Sequence, residues 1–228
     1  MPMTPKTAID RFRLRGLYAV TPEVENLAQL VRLVRAAIEG GARLVQYRAK
    51  RLDAGRRLRQ AEAIASLCRD HGVPFLVNDD IDLAICVSAQ GVHLGRDDGD
   101  PRDARSRLPE AILGVSCYDE PARVLAAVQS GADYVGIGSV YASGTKPDAA
   151  RSGLAAIAEA KRLAAIPVAA IGGITPANAA DAVAAGADML AVISSLFAAP
   201  DVAAAARALS RPFAMEPDPH ARTQPAAF

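Results

Sequence analysis

Tryptophan is absent from this chain and other aromatic residues are few, so Ala, Val, Leu and Ile must fill the interior. Cysteine is sparse: Cys68, Cys86 and Cys117 form an odd set with no metal-ligand spacing. That argues against a disulfide framework and for a reduced, cytoplasmic setting, with the thiols packed as small hydrophobes. Neither sign of charge dominates. A net charge of +1 argues against a broad nucleic-acid surface, so any anion site must be a local cluster. No apolar run reaches the ~18 residues of a spanning helix. The N-terminal stretch is polar and mixed in charge, without the apolar core of a secretory signal. No membrane association is expected.

What remains is a hydrophobic content of 51% in 228 residues, enough for one large core and short for two domains. Short apolar runs alternate with amphipathic, Ala-rich stretches. The spacing predicts strands over Gly16–Thr21, Arg43–Arg48, Pro74–Asp79, Gly91–Gly95, Ile112–Cys117, Tyr134–Tyr141, Pro167–Gly173 and Met189–Ser194. Helices are predicted between them, including Val24–Glu39, Ala54–Arg69, Glu120–Ser130, Gly153–Leu163, Pro176–Ala184 and Val202–Leu209. A Gly-Ala-Arg/Asp step recurs at Gly41, Gly131 and Gly186, where each glycine would end a helix and release the next strand. Eight such units predict a single-domain α/β chain folded as a (β/α)8 TIM barrel over residues 16–211. Residues 1–15 read as an N-terminal extension. From Pro212 the composition shifts to Pro, charged and small residues, so 212–228 is expected to be a disordered tail. An open doubly wound sheet is the alternative, but no Gly-x-Gly-x-x-Gly follows the first strand.

In such a barrel the chemistry sits where strands end and loops begin. The second strand ends in Gln46-Tyr47-Arg48-Ala49-Lys50. By alternation Gln46, Arg48 and Lys50 share one face, and Tyr47 and Ala49 point away from it. Two cations and an amide aimed into an enclosed space call for an anionic ligand; an exposed strand is the plain alternative. Asp79 and Asp98 end neighbouring strands, near enough to share one hard cation such as Mg2+, although aspartates there also cap helices and loops. Gly172-Gly173 after the seventh strand and Ser194 after the eighth fit a backbone phosphate cup, or else a simple tight turn. Ser143-Gly144-Thr145-Lys146 is a hydroxyl-rich loop with one cation, a pattern many surface loops share. His93 lies mid-strand and reads first as a satisfied interior histidine. His71 sits at a helix C-terminus, His220 lies in the tail, and no Ser–His–Asp or Cys–His pair can be assembled.

Two anion sites on one rim imply a diphosphate substrate facing a monophosphate substrate. The reaction would expel diphosphate, the leaving group that a metal and two cations stabilise best.

Taken in order, the motifs resemble the thiamine-phosphate synthase family. These are Gln46-x-Arg48-x-Lys50, Asn78-Asp79, Gly91-x-His93-x-Gly95-x-x-Asp98, Gly114-Val115-Ser116, Ser143-x-Thr145-Lys146 and Gly172-Gly173-Ile174, within a stretch from Gly16 to about Phe197. The resemblance implies that 4-amino-2-methyl-5-hydroxymethylpyrimidine diphosphate is joined to 4-methyl-5-(2-phosphoethyl)thiazole, or to its carboxylated form. It assigns Gln46, Arg48, Lys50, Asn78, Ser116 and Lys146 to the pyrimidine diphosphate, with Arg48, Lys50, Ser116 and Lys146 as catalytic candidates. Asp79 and Asp98 would hold Mg2+. Ser143, Gly144, Thr145, Gly173, Ile193 and Ser194 would receive the thiazole phosphate. A homodimer and a dissociative mechanism are also implied. Arg96 stands where the family often has Gln; it would touch diphosphate or pair with Asp97. Ser139 and Ala142 stand where Pro is frequent. A thiazole tautomerase and a non-catalytic phosphate-binding barrel are the rival readings; the intact charged set speaks against both.

Overall fold

The computed structural model describes residues 14–142 and 152–215. Among these, eight parallel strands close into a barrel in chain order: β1 (Gly16–Val20), β2 (Ala42–Tyr47), β3 (Phe75–Asn78), β4 (Gly91–Leu94), β5 (Ile112–Tyr118), β6 (Tyr134–Ile137), β7 (Val168–Ile171) and β8 (Met189–Val192). β8 pairs back onto β1, which leaves no free sheet edge. The described helices are α1 (Leu27–Glu39), α2 (Ala54–Asp70), α3 (Ile81–Cys86), α4 (Pro101–Arg107), α5 (Pro121–Gln129), α6 (Gly153–Leu163), α7 (Ala179–Ala184), α8 (Ser194–Phe197) and α9 (Val202–Met215). This is the expected (β/α)8 barrel.

Strand alternation builds two apolar layers. Leu17, Ala19, Val45, Tyr47, Val77 and Val92 face the helices and join the large outer core. Tyr18, Val20, Leu44, Leu76, Ile112 and Tyr134 face inward and fill the barrel with Met189 and Ala191. Side-chain caps start the early helices: Asn26, Asp53, Asp80 and Asp100 accept the N–H of Gln29, Arg56, Leu83 and Arg102. The recurrent Gly-Ala steps end helices as expected, with Gly41, Gly131 and Gly186 at φ +109°, +79° and +106°.

The strands are mostly shorter than predicted. β6 stops at Ile137, and residues 138–142 leave the barrel wall as loop. Helices α3, α4 and α8 were not named from the sequence; at six, seven and four residues they are too short to show a helical period. α9 runs through Pro212 to Met215, past the boundary expected at 211. Tertiary packing outweighs the proline: Phe213 packs against the core, the Arg15 guanidinium lies 5.6 Å from its ring centroid, and Ser210 donates to the Gly41 carbonyl at 3.4 Å. Residues 216–228 and 1–13 lie outside the described residues. Cys68 and Cys117 are buried as expected, whereas Cys86 is exposed, at the end of a short helix that turns it outward.

Candidate active site

The C-terminal mouth of the barrel holds a cavity of about 720 Å³. Gln46, Arg48 and Lys50 all line it, and Tyr47 and Ala49 do not. Gln46 is the last inward residue of β2 and is buried. Arg48 and Lys50 lie just past the strand, so their direction is set by the loop rather than by the pleat. That loop is clamped to the end of β1. The Arg48 N–H donates to the Thr21 hydroxyl at 2.9 Å, and the N–H groups of Lys50 and Arg51 donate to the two carboxylate oxygens of Glu23 at 3.0 and 2.9 Å. Desolvation pushes the Glu23 carboxyl upward. The two backbone bonds, aided by the nearby charges of Arg48 and Arg51, outweigh it and hold the pKa below its ordinary value.

Asn78 ends β3 and lines the cavity; Asp79 follows it at φ +57°, a left-handed conformation that Asp tolerates better than most residues. Asp79 Oδ2 accepts from Asn78 Nδ2 at 2.7 Å and lies 3.1 Å from Lys50 Nζ. Asp98 reaches the cavity from the loop after β4, and its Oδ2 accepts the Gly95 N–H at 2.7 Å. Arg123 ties the ends of β4 and β5 together by donating to the carbonyls of Gly95 at 3.1 Å and Ser116 at 2.7 Å. Asp98 lines the cavity, whereas Asp79, one residue past β3, is not part of its wall. Among the described residues the hydrogen bonds of both aspartates use Oδ2, so a hard divalent cation would take each Oδ1. Asp80 is diverted from any such role, because it caps α3 and pairs with Arg57.

The opposite wall carries Gly172, Gly173, Ile193 and Ser194. Gly173 sits at φ +64°, and a Cβ there would lie 2.2 Å from the Ala142 carbonyl oxygen, so only glycine fits. Asn178 staples this turn: its Nδ2 donates to the Gly173 carbonyl at 3.0 Å and its Oδ1 accepts the Thr175 N–H at 2.8 Å. Ser143, Gly144, Thr145 and Lys146 lie outside the described residues.

The structure also adds residues that sequence reasoning missed. Tyr18 lines the cavity floor with His93, and Tyr118 and Glu120 line its rim. Arg96 does not pair with Asp97. It stacks over the Tyr118 ring at 4.8 Å and pairs with Glu120, because the loops after β4 and β5 run side by side. His93 is a satisfied interior histidine, as expected. Its Nδ1 lies 2.8 Å from the Tyr134 hydroxyl and its Nε2 lies 2.8 Å from Ser116 Oγ. Desolvation pushes its pKa down to about 4, against a weaker upward pull from Asp98, so the ring is neutral near pH 7. His71 accepts the expected place at the end of α2, with Nδ1 2.9 Å from the Leu67 carbonyl.

Fold and site are those of a (β/α)8 barrel whose strand ends and following loops bring Arg48, Lys50, Asp98 and a glycine turn to one cavity mouth. A family model described as thiamine monophosphate synthase matches residues 17–196. The thiamine-phosphate synthase of Chromobacterium violaceum is 55% identical over 199 residues, covering 87% of this chain and 96% of that protein. That of Aromatoleum aromaticum is 52% identical over 197 residues, covering 86% and 95%. Among solved structures, thiamine phosphate pyrophosphorylase from Pyrococcus furiosus superposes with a TM-score of 0.81 at 36% identity, covering 89% of this chain and 96% of that one. The chain belongs to the thiamine monophosphate synthase family.

Proposed function

We propose that this transferase of thiamine biosynthesis joins 4-amino-2-methyl-5-hydroxymethylpyrimidine diphosphate to 4-methyl-5-(2-phosphoethyl)thiazole, or its carboxylated form, releasing thiamine phosphate and diphosphate. The observation that carries the reading is the single mouth that holds Gln46, Arg48, Lys50, Asn78, Asp98 and Ser116 opposite Gly173, Ile193 and Ser194.

In this reading the first group receives the pyrimidine diphosphate. Arg48 and Lys50 meet the charge that grows on the departing diphosphate as the C–O bond breaks. The bond electrons leave with diphosphate, the pyrimidine stabilises the methylene cation, and the thiazole nitrogen adds to that carbon. No residue needs to deprotonate the nucleophile, which agrees with a site whose histidine is neutral and fully hydrogen-bonded. Catalysis is then positioning plus charge stabilisation. Asp79 and Asp98 would hold Mg2+, which when bound supplies further neutralisation of the leaving diphosphate. Gly173, Ile193 and Ser194, which line the same cavity, would receive the thiazole phosphate. Ser143, Gly144, Thr145 and Lys146 keep the substrate roles that the family resemblance gives them.

The sparse cysteines support a cytoplasmic setting, and no described helix is long and apolar enough to cross a membrane. The homodimer is proposed on the family resemblance and is checked by sedimentation. The deciding assay supplies both substrates with and without Mg2+ and measures thiamine phosphate and diphosphate together. Equimolar, Mg2+-dependent products are expected. Isomerised thiazole without diphosphate release would instead identify a tautomerase.

A further inference from the structure

Beneath the cavity, one hydrogen-bond chain crosses the barrel interior and ends at a residue assigned to substrate. It links five strands. Gln46 Nε2 on β2 donates to the Tyr18 hydroxyl on β1 at 2.5 Å. Tyr18 and Tyr134 on β6 share a hydrogen bond of 2.7 Å. The Tyr134 hydroxyl lies 2.8 Å from His93 Nδ1 on β4, and His93 Nε2 lies 2.8 Å from Ser116 Oγ on β5. The packing reserves space for it. Gly114 stands beside Tyr134 in register, and a Cβ there would lie 2.1 Å from the phenol ring. The His93 ring stacks on Tyr134 with centroids 5.5 Å apart.

The chain has a direction. An amide nitrogen only donates, so the Tyr18 hydroxyl accepts from Gln46. Its own proton then has Tyr134 as its acceptor among the described residues. Tyr134 in turn gives its proton to His93 Nδ1. A neutral imidazole that accepts at Nδ1 carries its proton on Nε2, where it faces Ser116 Oγ. Ser116 accepts that bond, and its hydroxyl proton must point elsewhere. Ser116 lines the cavity, so elsewhere is toward the ligand.

We infer that His93 is a positioning residue, locked by Gln46, Tyr18 and Tyr134 as the Nε2–H tautomer so that Ser116 is presented as a hydrogen-bond donor to the bound pyrimidine diphosphate. The inference rests on the proposed role of Ser116. Its structural half, the tautomer, does not depend on activity. Burial raises the pKa of both phenols, so Tyr18 and Tyr134 keep their protons around pH 7.

The test has two arms. Long-range 1H–15N correlation spectra of the 15N-labelled full chain at about pH 7 report the tautomer directly. The sequence has three histidines, and His93→Gln identifies the His93 signals by their loss. The expected result is a protonated Nε2 and an unprotonated Nδ1. An Nδ1–H tautomer overturns the inference, because Ser116 would then donate to His93 Nε2; an imidazolium overturns it too, because Nδ1 would then donate to Tyr134 and the chain would not set the ring's single proton. The kinetic arm compares His93→Gln, whose amide nitrogen replaces Nε2, with His93→Asn, which reaches only the Nδ1 side. His93→Asn is expected to lose about tenfold in kcat with both KM values nearly unchanged, while His93→Gln recovers most of that loss. Equal losses in both variants, or none in His93→Asn, overturn the positioning role. Complete absence of synthase activity in the unaltered chain defeats the proposed function instead and leaves the tautomer result standing.

Discussion

Lys50 Nζ lies 3.1 Å from Oδ2 of Asp79, which joins the charged end of β2 to the charged end of β3. Lys50 is half exposed, so this pair contributes little to folding. Its effect is local. Asp79 keeps an ammonium at the mouth of the barrel, beside the carboxylate proposed to take a cation, and ready to turn onto an arriving diphosphate.

Lys50→Ala is therefore expected to lower kcat by roughly 10²-fold, the scale of losing one group aimed at transition-state charge. Its unfolding free energy should change by less than about 1 kcal/mol, as for other exposed pairs. Steady-state kinetics and denaturant unfolding check the two halves. A rise in the thiazole KM alone would contradict the assignment.

Asp79→Asn and Asp98→Asn isolate charge from shape. Asn tolerates the left-handed backbone at position 79, and at position 98 its oxygen can still accept the Gly95 N–H. Both variants should fold normally and lose Mg2+-dependent turnover. A Mg2+ titration of the rate checks this; normal activation in both variants removes the metal assignment.

Gly173→Ala places a methyl group on a backbone at φ +64° and 2.2 Å from the Ala142 carbonyl. It should destabilise the protein by about 1–3 kcal/mol, the usual cost of such strain. It should raise the KM for the thiazole phosphate more than that for the pyrimidine diphosphate. Thermal unfolding and paired substrate titrations measure both effects.

Glu23→Gln weakens the clamp on the loop that carries Arg48 and Lys50. The folded pKa of Glu23 is depressed, so its stabilisation is fully present above the ordinary value of 4.5 and is lost as pH falls through the lower folded value. The stability difference between wild type and Glu23→Gln should be constant across about pH 6–8 and shrink below 4.5. Denaturant unfolding across this range checks the sign.

Much of this was legible because strand alternation is local. The spacing of Gln46 and Tyr47 alone tells which one faces the barrel and which one faces α2, where Tyr47 in fact bonds Gln60 at 3.0 Å. Asn78 was readable because it ends the apolar run Phe75-Leu76-Val77, which must finish at the rim. Contacts across the barrel were not. Tyr18 and Tyr134 are 116 residues apart, and nothing local in the sequence pairs them before closure brings their hydroxyls together. Arg96 and Glu120 likewise meet only through the pairing of β4 with β5. The aim of Arg48 and Lys50 came out as expected for an incomplete reason. They lie beyond the strand, and Thr21 and Glu23 hold them where the pleat alone would not.

Diffraction from crystals grown with Mn2+ and diphosphate, recorded at a wavelength where manganese scatters anomalously, tests the central assignment most directly. One anomalous peak is expected at Asp79 and Asp98, with diphosphate against Arg48 and Lys50. Diphosphate seated instead at Gly173 and Ser194, or manganese bound away from both aspartates, would contradict it.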